Sequence, residues 1–259
     1  MNQIVIQENS SKEIILDNDI DNEIIVNKDS EVKIIDISKG NVTIKVGENS
    51  KAVYIAIKTS PETSSKKAIV EKYGQIHWVE CYIGDKINNS IRTELNGEGS
   101  ETTTFGVLFG DKENEINVKN EVIHAGNYSI SNMLTRVVLN DKAKANYNGL
   151  VKINPGTKGC QGYQKKETIL LSKDARIMAV PNLEIENNEV KCSHGATISQ
   201  IDEEQLFYMT SRGIDEKTAK KTIIEGFFNP IIEKISNESI KNSVIESINQ
   251  RLGDIKWIS

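Results

Sequence analysis

The chain has 259 residues, a length that suits one large domain or two modest ones with a sizeable core. Its formal net charge of −5 argues against a nucleic-acid partner, and no apolar run approaches the ~18 residues that a membrane-spanning helix requires. Because the start, MNQIVIQENSSKEIIL, lacks the apolar region of a signal peptide and the three cysteines do not suggest a disulfide framework, we expect a cytoplasmic protein with no membrane partner.

Short apolar segments follow one another through the first part of the chain, each closed by a polar cluster. They begin at Glu13 (EIIL), Glu23 (EIIV), Val32 (VKIIDI) and Val42 (VTIKV). Such spacing is typical of successive strands joined by turns, as in a β-sandwich, a barrel or a β-solenoid. The next polar segment, SPETSSKK at 60–67, predicts a mobile loop. Nothing in this region carries chemistry, so we interpret it as structural.

The middle of the chain continues with alternating strands. In IHWVECYIG, His77 and Cys81 fall on one face, whereas Trp78 and Glu80 fall on the other. His124, in VIHAG, could face a partner. Each of these isolated histidines and cysteines is more typical of a core or surface residue than of a ligand, because no second donor stands at a spacing typical of metal sites. Cys81 keeps a minor alternative role, as a thiol that holds sulfur in transit.

Two later segments repeat one pattern of a strand, a polar bend and a small residue. These segments are TRVVLNDKAKANYNG and KETILLSKDARIMAVP, in which Ala143 and Ala175 occupy equivalent places. Internal repetition of this kind favours stacked rungs over a globular sandwich. The residues alone predict a β-rich solenoid or sandwich.

The segment from Pro181 to Gly213 concentrates the soft donors of the chain. Cys192 and His194 are two residues apart, so on a strand they would point to the same face. Thiolate and imidazole together suit iron–sulfur clusters, zinc or copper, although two ligands cannot complete such a site. The alternative is a buried cysteine beside a hydrogen-bonded histidine, because free cysteine is among the most buried residue types.

The same segment carries a family resemblance. The motifs LEI, VKCSHGAT, DEEQLFY and SRGI, in this order, resemble the core of the SufB/SufD family, the scaffold subunits of the SUF machinery that assembles iron–sulfur clusters. The resemblance runs from about Tyr147 to Phe228. It implies a mainly β fold, a right-handed parallel β-helix over residues 1–201, followed by a C-terminal helical cap over 202–259. It also implies that Cys192 and His194 are ligands of a transient iron–sulfur cluster.

Two positions depart from the SufB pattern. SufB-type chains carry a cysteine before the ILL-like strand and a glutamate directly after the motif histidine, whereas this chain has Lys166 and Gly195 there. It is similar to SufD at both, and Cys160 upstream of Lys166 is conceivable as a displaced ligand. The chain is also short for the family. We therefore expect a dimer, either with a second copy of itself or with a SufB-like chain.

The tail predicts three helices. Asp202 and Gln205 form a capping box for the first, which ends at Gly213. The second begins at Asp215 and is interrupted by Pro230, and the third runs from about Glu238 to Leu252. Helices here would cover the exposed edge of the last rung, as solenoids require for solubility.

The resemblance gives the tail a second role, which is to bind a SufC-like ABC-type ATPase. Arg212 would contribute to the contact, or would instead be a buried partner of an acidic residue such as Asp202. The predicted contact residues are Arg212, Glu225, Gly226, Phe227 and Phe228.

The leading hypothesis is thus a scaffold rather than an enzyme. Searches for G-x-x-x-x-G-K-[ST], H-E-x-x-H and G-x-S-x-G all fail, so phosphate binding and hydrolysis have no motif to support them. The alternative is a parallel β-helix enzyme that acts on polysaccharide, with Glu184, Glu186 and Glu189 as candidate acids. A structural zinc protein is disfavoured, because the sequence contains no paired C-x-x-C.

Overall fold

A computed structural model describes residues 1–235 and 237–254. The chain coils into a parallel β-helix made of two eight-stranded sheets, in which every strand pairs in parallel with the strand one coil away. Sheet A contains β1 Asn2–Ile6, β3 Asn22–Val26, β5 Val42–Val46, β7 Glu62–Val70, β9 Lys86–Leu95, β11 Glu115–His124, β13 Lys144–Ile153 and β15 Arg176–Ile185. Sheet B contains β2 Ser11–Leu16, β4 Glu31–Asp36, β6 Lys51–Lys58, β8 Gln75–Ile83, β10 Glu101–Gly110, β12 Ile130–Leu139, β14 Gln161–Leu170 and β16 Lys191–Ser199.

One odd-numbered strand and the even-numbered strand that follows it form a rung. The predicted solenoid and its mainly β class are confirmed, and the right-handed sense of the coil stays a prediction. The number of residues in a rung increases along the chain. Hydrogen-bonded side chains on neighbouring coils are 20 residues apart at Asn2 and Asn22 but 31 apart at Arg136 and Glu167. Ala143 and Ala175 precede paired strands and occupy equivalent places, as predicted.

The interior of the β-helix is largely apolar but holds buried charged side chains from the second rung, β3 and β4, onward. The alternation predicted for β8 is confirmed, since Trp78 and Glu80 point inward and Cys81 points to the outer face. Inside, Lys66 Nζ lies 2.7 Å from Glu80 Oε2, and Tyr82 donates to the same carboxylate oxygen. Buried charges are tolerated in this way when each has a partner.

The loop predicted for 60–67 is wrong, because Glu62 begins strand β7. The first three inward side chains of this strand are polar and buried, and they bond to other interior groups. Glu62 lies 3.5 Å from Lys58, and Ser64 accepts a hydrogen bond from Asn89. A polar run therefore forms a strand here because the core supplies its partners.

The tail forms three helices, α1 Glu203–Ser211, α2 Glu216–Ile232 and α3 Glu238–Asp254, as predicted. Asp202 caps α1 by accepting from the backbone N–H groups of Glu204 and Gln205. Pro230 does not interrupt α2, which continues to Ile232. The proline costs one backbone bond near the helix end, and Ile231 and Ile232 beyond it are buried in the core.

The helices lie against the side of the β-helix rather than over its last rung. Buried residues of α2 and α3 pack on the outer face of sheet B, among them Phe228 and Val244 against Cys81 and Val107. Arg251 Nη1 bonds to Asp111 Oδ1 at 2.6 Å and fixes α3 to the turn after β10. The expected cover over the last rung, β15 and β16, is therefore not formed by α2 and α3. No helix of the described chain is long and apolar enough to span a membrane.

Candidate functional site

Strand β16 carries the two predicted ligands on one face, at the exposed end of the β-helix. Cys192 pairs in register with Gly162 of β14, and His194 pairs with Gln164. Cys192 is half-buried and His194 is exposed. A Cβ atom at position 162 would lie 2.7 Å from Val151 and 3.4 Å from Cys192 Sγ, so a glycine there lets the thiol turn inward.

The surroundings of Cys192 favour the protonated form of its thiol. Burial raises the pKa of the Cys192 thiol, while a backbone hydrogen bond from Gly162 opposes that shift. The thiol is therefore protonated at neutral pH, and a metal that binds it must displace the proton. Among the residues that the structure describes, no group of three or more metal-ligating side chains comes together. That Cys192 and His194 are ligands stays a prediction.

His124 and Cys160 form a buried cluster that adjoins Cys192 from the inside of the β-helix. His124 Nδ1 lies 2.8 Å from Ser129 Oγ, and its Nε2 lies 2.8 Å from Ser131 Oγ. Ser129 Oγ is also 3.5 Å from Cys160 Sγ. Because His124 is fully buried, the idea that it faces a partner is wrong. Burial lowers the pKa of the His124 imidazole to about 4, so it is neutral at physiological pH.

Cys81 belongs to the packing between sheet B and the helices. It is fully buried in the cluster formed with α2 and α3. Burial raises the pKa of the Cys81 thiol to about 12, which leaves it without nucleophilic character at neutral pH.

The last rung has free strand edges. Strand β15 ends sheet A and strand β16 ends sheet B. The N–H of Lys191 donates to the carbonyl of Cys160 on the neighbouring strand, so by alternation the backbone groups of Cys192, His194 and Ala196 point to the free edge. Unpaired edges of this kind are templates for another strand.

The predicted partner residues differ in their exposure. Phe228 is fully buried against sheet B, so it is a packing residue and not a surface contact. Phe227 is half-buried, with the Arg136 guanidinium 4.9 Å from its ring centroid. Gly226 is exposed and Glu225 is half-buried. The sequence could not separate Phe227 from Phe228, because the face that α2 buries is fixed by packing.

Arg212 is exposed and lies next to aromatic residues that the sequence analysis did not single out. Its guanidinium is 5.2 Å from the ring centroid of Tyr208, and the alternative partner Asp202 is engaged in capping α1. Phe207 is 73% exposed and Tyr208 is 61% exposed, and none of the residues of α1 is buried. We call Phe207, Tyr208 and Arg212 the α1 surface.

The three glutamates that are the candidate acids of a polysaccharide enzyme do not line a common cleft. Glu184 is exposed on β15 and lies 3.1 Å from Lys152, while Glu186 and Glu189 lie in the turn that follows. A groove of about 530 Å³ on the outer face of sheet A is lined largely by amides and hydroxyls, including a ladder of Asn88 and Asn117. Acid–base hydrolysis of a glycosidic bond needs a carboxylate pair, which this groove does not provide.

Comparison with known proteins gives a consistent family. The model for the SufBD core domain of the SUF system for FeS cluster assembly matches residues 2–227. The chain is 32% identical over 169 residues to the iron–sulfur cluster assembly protein SufD of Escherichia coli, a match that covers 65% of this chain and 40% of that protein. Its identity to SufD of Bacillus subtilis is 31% over 169 residues, covering 65% of this chain and 38% of that protein.

A third relative extends the match over more of the chain. The iron–sulfur cluster assembly SufBD family protein of Staphylococcus saprophyticus is 28% identical over 217 residues, covering 83% of this chain and 43% of its own length. The matched region thus spans about two fifths of each of these relatives. With the family model matching from the first strand into α2, and with two stacked parallel sheets beneath it, the chain belongs to the SufBD family.

Proposed function

We propose that this protein is a scaffold component of a SUF-type iron–sulfur cluster assembly complex. The observation that carries the proposal is the exposed last rung, where Cys192 and His194 share a face next to a free strand edge. The nascent cluster is the cargo of this site, held by thiolate and imidazole while it assembles.

A second chain is needed to complete the ligand set. An iron–sulfur cluster usually has about four protein ligands, and one chain supplies two. Twofold pairing along the β16 edge, with a second copy or with a SufB-like chain, doubles the donors, because an isologous interface brings the same patch of both chains together. The free backbone groups of Cys192 and Ala196 favour this geometry.

The C-terminal helices provide the contact for a SufC-like ATPase, whose ATP hydrolysis drives assembly. The α1 surface supports this role, because two adjacent exposed aromatic rings beside an arginine have the composition of an interface hot spot. Glu225 and Gly226 of α2 extend the contact, whereas Phe228 supports it from the core.

Anaerobic reconstitution with iron and sulfide tests the cluster role. The wild-type chain is expected to turn brown, with cluster absorption and bound iron, whereas Cys192→Ser and His194→Ala remain folded and lose most of that iron. Cys160→Ser is the matched control, since it removes a buried thiol one rung away. Equal iron loss in Cys160→Ser, or full retention in Cys192→Ser, would contradict the assignment.

A further inference from the structure

Three lysines are buried in the β-helix, and one of them differs from the other two. Lys58 Nζ lies 3.1 Å from Asp36, and Lys66 Nζ lies 2.7 Å from Glu80, so each of these ammonium groups faces a carboxylate. Lys166 is only 2% exposed, and its Nζ has no hydrogen-bond partner among the residues that the structure describes. A buried charge without a counter-charge is costly, which points to a ligand that supplies one.

The surroundings of Lys166 are rich in unused polar atoms. Gln164 and Thr168 flank it on the inward face of β14, and the Gln164 amide and the Thr168 hydroxyl are also buried without partners within the described chain. The Lys166 ammonium lies 5.5 Å from the centroid of the Tyr147 ring, which leaves its hydrogen-bonding capacity unused. These groups together offer several N–H and O–H donors and a single positive charge.

Only the last rung separates Lys166 from the open end of the β-helix. Ala196 of β16 pairs in register with Lys166, and Ala179 and Pro181 of β15 lie opposite. Ala196 is exposed, and Ala179 and Pro181 are half-buried, so the cover consists of small side chains open to solvent. Small side chains of one rung are therefore all that separates Lys166 from solvent at this end.

We propose that Lys166 and Gln164, neighbours on the inward face of β14, form a binding site for one small inorganic monoanion, of the size of a halide, inside the last rungs. The single ammonium balances one negative charge, and the Gln164 amide donates to the same ion, as charge-assisted hydrogen bonds require. Carboxylates that could compete are already engaged, since Glu167 points outward to Arg136 and Lys165. The site needs neither a bound cluster nor a second chain, so its test is independent of the assembly role.

The experiment measures the thermal stability of the cluster-free full-length chain in gluconate buffer, titrated with bromide at constant ionic strength. We expect Tm to rise with the logarithm of bromide concentration above its Kd, by roughly 4 °C when bromide reaches ten times its Kd. Lys166→Met is expected to lose that rise. Lys165→Met, which removes a charge from the outer face of the same strand, is the matched control and should retain it.

Crystals grown in bromide provide a second measurement that does not depend on a variant. We expect one anomalous scattering peak within hydrogen-bonding distance of Lys166 Nζ. Water alone at that place, or the same bromide-dependent rise in Tm in Lys166→Met as in the wild type, would overturn the proposal.

Discussion

His124 is a buried neutral base, with both ring nitrogens beside serine hydroxyls. Because its pKa is about 4 in the folded protein and about 6.5 in the unfolded chain, the unfolded state binds more protons between these values. The stabilisation that the neutral His124 gives to the folded state is therefore fully present above pH 6.5. As pH falls toward 4 the free energy of unfolding decreases by roughly 3 kcal/mol in total from this residue. Urea unfolding across this range measures the loss.

His124→Gln isolates this effect from the carboxylates that titrate in the same range. The variant cannot take up the proton, so the difference in unfolding free energy between wild type and variant should itself change with pH. A difference that stays constant from pH 4 to pH 6.5 would contradict the prediction.

Cys81 gives a second test at the scale of one residue. Cys81→Ser buries a hydroxyl without a partner between sheet B and α3, and we expect it to lower the unfolding free energy by about 1–3 kcal/mol. Bound iron after reconstitution should equal that of the wild type in Cys81→Ala, which avoids the hydroxyl. Loss of iron from a folded Cys81→Ala chain would show that Cys81 takes part in binding the cluster.

The face that a side chain occupies was predictable from the sequence where it depends only on the two-residue period of a strand. The shared face of Cys192 and His194 and the inward face of Trp78 follow from strand alternation. The burial of Phe228 and the unpaired interior position of Lys166 depend on contacts between distant segments, which a local pattern does not contain.

At the scale of elements, the proposed contact for the ATPase lies mainly on α1, whereas α2 packs its buried residues on sheet B. Replacing Phe207 and Tyr208 together by serine removes exposed rings, so circular dichroism and Tm should stay unchanged. We expect the affinity for a SufC-like ATPase to fall about thirtyfold or more, as measured by co-elution and titration.

Phe228→Ala is the contrasting variant on α2. It removes a ring buried against sheet B and should cost about 3–5 kcal/mol of unfolding free energy, with any loss of ATPase binding following the loss of the fold. The role of the α1 surface would be refuted if the Phe207 and Tyr208 variant still co-elutes with the ATPase.

The boundaries of strands and helices were predicted correctly where turn residues and apolar periodicity indicated the same position. The four early strands and the start of α1 at Asp202 are examples. Strand β7 was missed because its first inward positions are Glu62, Ser64 and Lys66, which find partners on other strands. A polar segment with interior partners cannot be distinguished from a loop by its own composition.

At the scale of the whole molecule, the free edge of β16 predicts that two chains pair through this strand. Ala196→Pro removes an N–H that points to the free edge and leaves the bonds to β14 intact. We expect the variant to remain folded but monomeric by light scattering, with bound iron after reconstitution reduced to half or less. Thr197→Pro is the control, because it removes a bond within the sheet and should lower Tm. A monomeric Ala196→Pro chain with a full complement of iron would show that each chain completes its own site.

The last rung has a neighbouring coil on one side only, and its β16 side chains are largely exposed. In a stacked array, such a terminal unit opens locally at a lower free energy than the units inside it. Backbone amides of β16 should therefore exchange with solvent faster than those of β8 or β10. The two proposed cluster ligands then lie on a terminal strand of sheet B that is less protected than the strands inside it, and part of the binding energy of any partner strand is spent on ordering it. That cost weakens the pairing and speeds its release, which suits a site from which a finished cluster must leave.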